Sequence, residues 1–385
     1  MTRNALDPDE HAAFVAAVTA CFAEHSGPAT VRALLDDPRG DDPSLRDRAV
    51  RELGLPGLPI DEAHGGTGVG LGLLADVLLA AGRRLVGGPL LPTAIATLLI
   101  DRLGTDQDRG ELLPAIAAGE QTAALALHDQ PGSPVTFACR QPSRVRLSGT
   151  RTAVVDGLHA DRLLVPVQSG GRRLVTIVEA DADGLSRRSL PPLDLTRRIA
   201  EIHFADTPAK VLGEQVVEDE AWQRELDVAT VLVAADATGA AAEAVDRAVA
   251  YAHERQQFGR PIGSFQAVKH QLAQAHVDVE SARAAIEHAA SRVEGPATEG
   301  DSDAQEAGIA PDRPEAAAAA ALAGLRALRV AADVTRTAIQ VHGGVGFTWE
   351  HDAHLLHRRA LADAAMLRPL DELERRLVAA SVASG

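Results

Sequence analysis

Lysine is almost absent from this chain: Lys210 and Lys269 are the only two, and the other 36 of the 38 basic residues are arginines. Aromatics are nearly as scarce at 3%, with one tyrosine and two tryptophans. The core must then be aliphatic, and Ala and Leu dominate the 46% hydrophobic fraction. That mixture favours helix over strand. Two cysteines, Cys21 and Cys139, exclude a disulfide framework and any cysteine-spaced zinc site. Positive charge is lacking overall. A formal net charge of −16 argues against nucleic acid or an anionic membrane as partner, while leaving room for a local basic site that takes an anionic ligand. No apolar signal segment follows Met1. The longest apolar stretches are broken by Arg, Asp or Gly short of a membrane span. A cytoplasmic protein is expected.

A length of 385 residues allows two or three domains. Residues 1–125 read as an N-terminal helical domain. Asp9–Glu24 and Leu71–Leu85 carry apolar residues at helical spacing, and the Gly- and Pro-rich Leu53–Gly70 between them reads as loop. Residues 126–215 read as a small central β domain, barrel or sandwich. Its strand signals are Val145–Leu147, Thr152–Val155, Leu163–Val167, Leu174–Val178 and Ala200–Phe204, with Ser169-Gly170-Gly171 as a hairpin turn. Residues 216–385 read as a C-terminal four-helix bundle. Its helices are Trp222–Glu254, Phe265–Val293 with Ser264 as cap, Glu315–His342, and a tail from Pro369 to Ala380. A connection at about 294–314 has hardly any large apolar residue. The fold class is α+β.

Two segments carry chemistry. The first is Arg255-Gln256-Gln257-Phe258-Gly259-Arg260-Pro261, at the end of a long helix. Its arginine either complements the helix dipole or holds a guanidinium fork ready for a pyrophosphate, with Phe258 as an apolar wall. The second is Gln340-Val341-His342-Gly343-Gly344-Val345-Gly346-Phe347. Its glycines can end a helix or let the backbone approach a ligand, and Gln340 can hydrogen-bond that ligand. No strand precedes these glycines, so this is no dinucleotide fingerprint. His354 and His357 are spaced i, i+3, but no carboxylate–histidine pattern supports a metal site. Phe347 and Trp349 read as core.

Together the segments resemble the acyl-CoA dehydrogenases, which carry R-x-x-F-G and, some 80–90 residues later, Q-x-x-G-G-x-G-F. The likeness runs along the chain. Leu55-Pro56-Gly57-Leu58-Pro59 and Glu62-Ala63-His64-Gly65-Gly66-Thr67-Gly68 resemble the family's P-E-x-x-G-G-x-G turn. Leu147–Arg151 and Ala160-Asp161 resemble its β-domain strands. The resemblance implies the acyl-CoA dehydrogenase fold and FAD lying across a subunit interface. It implies that Arg255, Phe258, Gln340 and Gly344, with Gln257 at a further contact position and Gly343 beside them, reach a flavin nucleotide held mainly by the neighbouring subunit. It also implies an acyl-CoA substrate, α,β-dehydrogenation with electrons passed to the flavin and on to an electron-transfer acceptor, and a tetramer.

Other family elements are missing. The family's base is a carboxylate whose pKa is raised in a dry pocket. Its two usual positions hold Leu367 and Ala229, neither of which accepts a proton. The A-x-T-E-P-x-x-G-S stretch that hydrogen-bonds the flavin ring is altered and shortened to Ala126–Ser133. Ala153 and Val155 replace the aromatic and the hydroxyl residue against the ring. The resemblance therefore implies a β-like subunit of an α2β2 heteromer that completes a homologous partner's FAD site. The alternatives are a self-sufficient homotetramer with Asp236 as base, two helical turns beyond Ala229, or a non-catalytic assembly subunit.

Overall fold

The N-terminal helices carry their own start signals, and the structure uses them. A computed structural model describes residues 6–141, 144–169, 172–213, 216–294 and 313–383. Helix α1 (Pro8–His25) opens on Asp7, whose carboxylate accepts from the Asp9 and Glu10 amides at 2.9 Å. Helices α2 (Pro28–Leu34) and α3 (Pro43–Arg51) each place proline in the first turn, where a missing N–H costs nothing. Helices α4 (Leu71–Arg83), α5 (Leu90–Leu103) and α6 (Asp106–Ala117) complete the N-terminal part. The stretch read as loop, Leu53–Gly70, holds two single 3₁₀ turns, Leu55–Gly57 and Glu62–His64.

Next comes one eight-stranded sheet: β1 (Ala123–Leu125), β2 (His128–Asp129), β3 (Thr136–Gln141), β4 (Arg144–Val155), β5 (Arg162–Ser169), β6 (Arg172–Glu179), β7 (Leu185–Leu190) and β8 (Ile199–Leu212). The order is β1-β5-β6-β8-β4-β2, with β3 beside β4 and β7 beside β8. Only the β1–β5 pairing is parallel among the described strands. The two runs expected at 145–147 and 152–155 form one strand, β4, bent by two register shifts against β8. The second shift leaves Ala153 at φ 54°. The turn expected at Gly170-Gly171 lies outside the described residues, as do residues 295–312 of the expected connection.

The C-terminal part comprises α7 (Asp219–Glu254), α8 (Gln266–Glu294), α9 (Arg313–His342), α10 (Ala353–Ala364) and α11 (Leu370–Ala383). Helix α9 packs against all four others. Helix α10 is not among the helices expected from the sequence. Ser264, expected to cap α8, instead lies in a 3₁₀ turn and donates its hydroxyl to the Pro261 carbonyl at 2.7 Å. Helix α7 is buried on every side along its middle. It contains an apolar window long enough to cross a membrane, contrary to the expectation that every such stretch is broken early, but that window is wholly buried in the bundle. Glycines let α4 and α7 touch backbone to backbone. A Cβ on Gly239 would lie 2.0 Å from the Leu79 carbonyl oxygen, and one on Gly82 would lie 1.9 Å from that of Asp236.

Candidate functional site

Helix α7 ends at Glu254 because Arg255 turns to extended backbone (φ −71°, ψ 123°). The chain then makes a two-residue hairpin, β9 (Gln256–Gln257) against β10 (Arg260–Pro261), with Phe258-Gly259 as its loop. Both loop residues have positive φ, 53° and 76°, as a type I′ turn requires. Asparagine suits the first position of such a turn; a phenylalanine there is strained. The strain serves to present the ring, since Phe258 is 91% exposed. Arg255 and Gln257 are exposed beside it. Among the described residues, the Arg255 guanidinium has no carboxylate partner.

The second motif lies at the same end of the bundle. Tyr251, one turn before Arg255, has its ring 4.7 Å from that of His342, the last residue of α9. Gln340 and Gly344 are exposed there, and Gly343 (φ 64°) turns the chain into a short 3₁₀ segment, Gly343–Phe347. The Tyr251–His342 contact sets the end of α7 beside the end of α9; Arg255, Gln257, Phe258, Gln340 and Gly344 are exposed at these two ends, and Gly343 is half-buried. Phe347 and Trp349, read as core, are exposed instead, at 74% and 55%. They follow the end of α9, and the His354 ring stacks on Trp349 with centroids 5.0 Å apart.

The positions that would hold a flavin ring in this chain's own β domain look different. Leu125, Leu127, His128, Ala153, Val155 and Leu367 surround a cavity of only ≈ 20 Å³. That is space for about one water. His128 Nε2 donates to the Met366 carbonyl at 2.9 Å, fastening the β domain to the α10–α11 turn across the slot. The shortened segment at 126–133 is tied down from behind. The buried Arg151 guanidinium donates to the Leu127 carbonyl at 3.0 Å, to Asp129 Oδ1 at 2.6 Å and to the Pro166 carbonyl. Leu367 and Ala229 are both buried. A flavin ring and a thioester do not fit this slot; the ends of α7 and α9 present exposed Phe258, the glycine backbone at 343–344 and, among the described residues, an Arg255 guanidinium without a carboxylate partner.

Asp236 is 1% exposed and is held between two guanidiniums: Arg197 Nη2 at 2.8 Å on Oδ2, and Arg359 Nη1 at 3.3 and 3.2 Å on Oδ1 and Oδ2. A base needs a free lone pair facing substrate. Both oxygens here are engaged, and Asp236 does not line the slot, so the geometry corrects the suggestion that it is a base. It belongs to a buried cluster that joins α7, α10 and the loop before β8. Arg359 also binds Asp194 at 2.6 Å, and Arg197 also binds Asp363. Burial opposes ionisation of Asp194, but Arg359, Arg197 and the Thr196 hydroxyl hold its carboxyl below the usual range. Burial pushes Asp363 well above that range, against the pull of Arg197. The arginines were invisible as partners because they lie 39 and 123 positions away from Asp236 in the chain.

Comparison with known proteins gives the same frame. Residues 8–120 match the family described as "Acyl-CoA dehydrogenase, N-terminal domain", and residues 220–382 match "Acyl-CoA dehydrogenase, C-terminal domain". The chain is 34% identical over 370 residues to the acyl-CoA dehydrogenase IpdE2 of Mycobacterium tuberculosis, covering 96% of each protein. Two solved structures superpose over almost all of it. One is a variant of the Tcur3481-Tcur3483 steroid ACAD, with TM-score 0.83, 29% identity and 98% of each chain covered. The other is the ChsE4-ChsE5 complex from Mycobacterium tuberculosis, with TM-score 0.85, 26% identity and full coverage of both chains. The chain belongs to the acyl-CoA dehydrogenase family, FAD-dependent oxidoreductases that act on a CH–CH bond.

Proposed function

We propose that this chain is the β-like subunit of a cytoplasmic heterotetrameric acyl-CoA dehydrogenase and completes an FAD site held mainly by a homologous partner subunit. The observation that carries the reading is the contrast between its two sites. Its own ring slot is closed by the His128–Met366 hydrogen bond and lined by Leu367 at one family base position, and the other base position holds the buried Ala229. Of its nucleotide-facing residues, Arg255, Gln257, Phe258, Gln340 and Gly344 are exposed and Gly343 is half-buried.

In this reading Arg255 would hold the flavin pyrophosphate by charge-assisted hydrogen bonds. Phe258 walls off water, Gln340 hydrogen-bonds the nucleotide, and Gly343 and Gly344 let the backbone come close. Gln257 adds a polar contact. Bound FAD supplies the acceptor for the β hydride of an acyl-CoA thioester. The α proton goes to a carboxylate of the partner, since this chain offers none at its family positions. Two structural neighbours bear paired names, one of them a steroid ACAD, which supports a two-subunit assembly and a steroid-derived acyl group as well as a fatty acyl one.

The test is flavin stoichiometry. The chain purified with a homologous partner that retains the carboxylate should carry about half a flavin per chain, as site counting in an α2β2 assembly requires. The chain alone should carry none. One flavin per chain with full turnover by the isolated chain would overturn the proposal.

A further inference from the structure

His342, His351 and His354 border the segment that links α9 to α10, Gly343–Asp352. The His342 ring lies between those of Tyr251 and His351, with centroids at 4.7 and 4.4 Å. Each of the three histidines makes a hydrogen bond through one ring nitrogen, and the bonds differ in direction. His342 Nδ1 donates to the Ala338 carbonyl at 2.7 Å, and His354 Nε2 donates to the Trp349 carbonyl at 3.2 Å. A carbonyl only accepts, so both bonds survive when the ring gains a second proton. His351 does the opposite. Its Nδ1 accepts from the Ala353 amide at 3.2 Å, satisfying one of the orphan N–H groups in the first turn of α10. An imidazolium has two donors and no acceptor, so protonation sets a donor against a donor here.

The surroundings offer no compensation. Asp352, the N-cap of α10, makes no side-chain capping bond of its own. Its carboxylate is taken by Arg32 of α2 at 2.7 Å and by Arg247 of α7 at 3.4 Å. Burial holds the His351 imidazole below its ordinary range; His342, Arg247 and His354 push the same way, against the pull of Asp352. The folded chain therefore binds fewer protons at His351 than the unfolded chain does. The contacts that depend on the neutral ring weaken as pH falls below the ordinary histidine value of 6.5.

We propose that His351 is a proton-operated catch on the segment that carries Gly343 and Gly344. Neutral, it caps α10 and holds Gly343–Asp352 in place; protonated, it releases them. The catch belongs to this chain alone. Its effect on flavin rests on the heteromeric reading above.

The experiment follows hydrogen exchange on the full chain, corrected for the intrinsic pH dependence of exchange, from about pH 7.5 to about pH 5. Protection of the first-turn amides of α10 should fall about five- to tenfold below pH 6.5, the size of one lost capping bond, while α7 stays protected. His351→Asn keeps an acceptor and does not titrate, so its protection should stay level. His354→Gln, which keeps a donor for the Trp349 carbonyl, should follow wild type. In wild type the His351 ring protons, identified by magnetisation transfer to those of His342, should titrate with the same midpoint as protection. That measurement decides the matter if His351→Asn folds poorly. In the mixed assembly, FAD retention should fall over the same range in wild type and not in His351→Asn. Level protection in wild type, an unchanged fall in His351→Asn, or a ring midpoint apart from that of protection would overturn the catch. Protection that falls while FAD stays bound would overturn its hold on the flavin site. An assembly that binds no flavin at any pH would count against the heteromeric reading instead, and exchange on the chain alone would still decide the catch.

Discussion

Asp156 is a buried acid that the fold keeps at a cost, and replacing it with asparagine exposes that cost as a function of pH. Its carboxyl is pushed up from 3.8 to about 7, first by burial and then by the nearby charge of Asp41, with Arg39 and Arg46 offsetting part of this. The backbone at Asp156 has φ 56°, a left-handed conformation that asparagine tolerates best among residues with side chains. Asp156→Asn therefore changes the charge and little else. The sign follows from proton counting. Between pH 3.8 and about 7 the folded chain holds a proton that the unfolded chain has lost, so stability falls as pH rises through that window. A gap of about three pH units corresponds to about 4 kcal/mol, fully developed above pH 7 and absent below the unfolded pKa. Asn cannot ionise, so the variant escapes the penalty. Urea unfolding from pH 4 to pH 8 should show wild type and variant close together at the acid end. The variant should then gain progressively, by a few kcal/mol at pH 8. A stability difference that stays flat across this range would refute the reasoning.

The strained hairpin gives a variant in which stability and function separate. Phe258→Gly should relieve about 1 kcal/mol of turn strain and raise the melting temperature of the chain. In the mixed assembly it should weaken flavin retention at least tenfold, read by fluorescence of released FAD, because a buried aromatic contact is worth about 1.5–3 kcal/mol. Gly239→Ala should cost about 3 kcal/mol or more, since its methyl would overlap the Leu79 carbonyl and push α4 off α7; thermal melting or loss of soluble yield reads this. Arg359→Met should cost about 3–5 kcal/mol by leaving Asp194 and Asp236 short of a buried counter-charge, measured by denaturant midpoint near neutral pH.

Much of the frame was legible because the local signals agree with the global packing. The long α7 helix, its end before the Arg255–Phe258 turn and the Gly343-Gly344 stop after α9 all follow from helical period and terminating residues. The candidate residues were picked from their spacing and the family resemblance, and the structure adds that five of the six are exposed and Gly343 half-buried at the ends of α7 and α9. What escaped the sequence has a physical cause in each case. Strand β7 reads Leu-Ser-Arg-Arg-Ser-Leu and is largely exposed, so it carries little burial signal. Helical spacing put Asp236 rightly inside the bundle, yet its role depended on arginines supplied by distant elements. Phe347 and Trp349 looked like core because large apolar side chains usually are, and only their exposure after the end of α9 shows otherwise. The closure of the ring slot depends on a bond between His128 and a backbone carbonyl, which no side-chain pattern records.

The exposed aromatic side chains have a consequence for how the cell must handle this protein. Phe258, Phe347 and Trp349 are largely exposed on a single copy. Such surface sticks to itself and to chaperones as readily as to its proper mate. On the heteromeric reading proposed above, such a subunit is safe only in matched dosage. Copies made in excess would be the first to enter aggregates or be degraded, and synthesis alongside the partner would protect the chain before any flavin arrives.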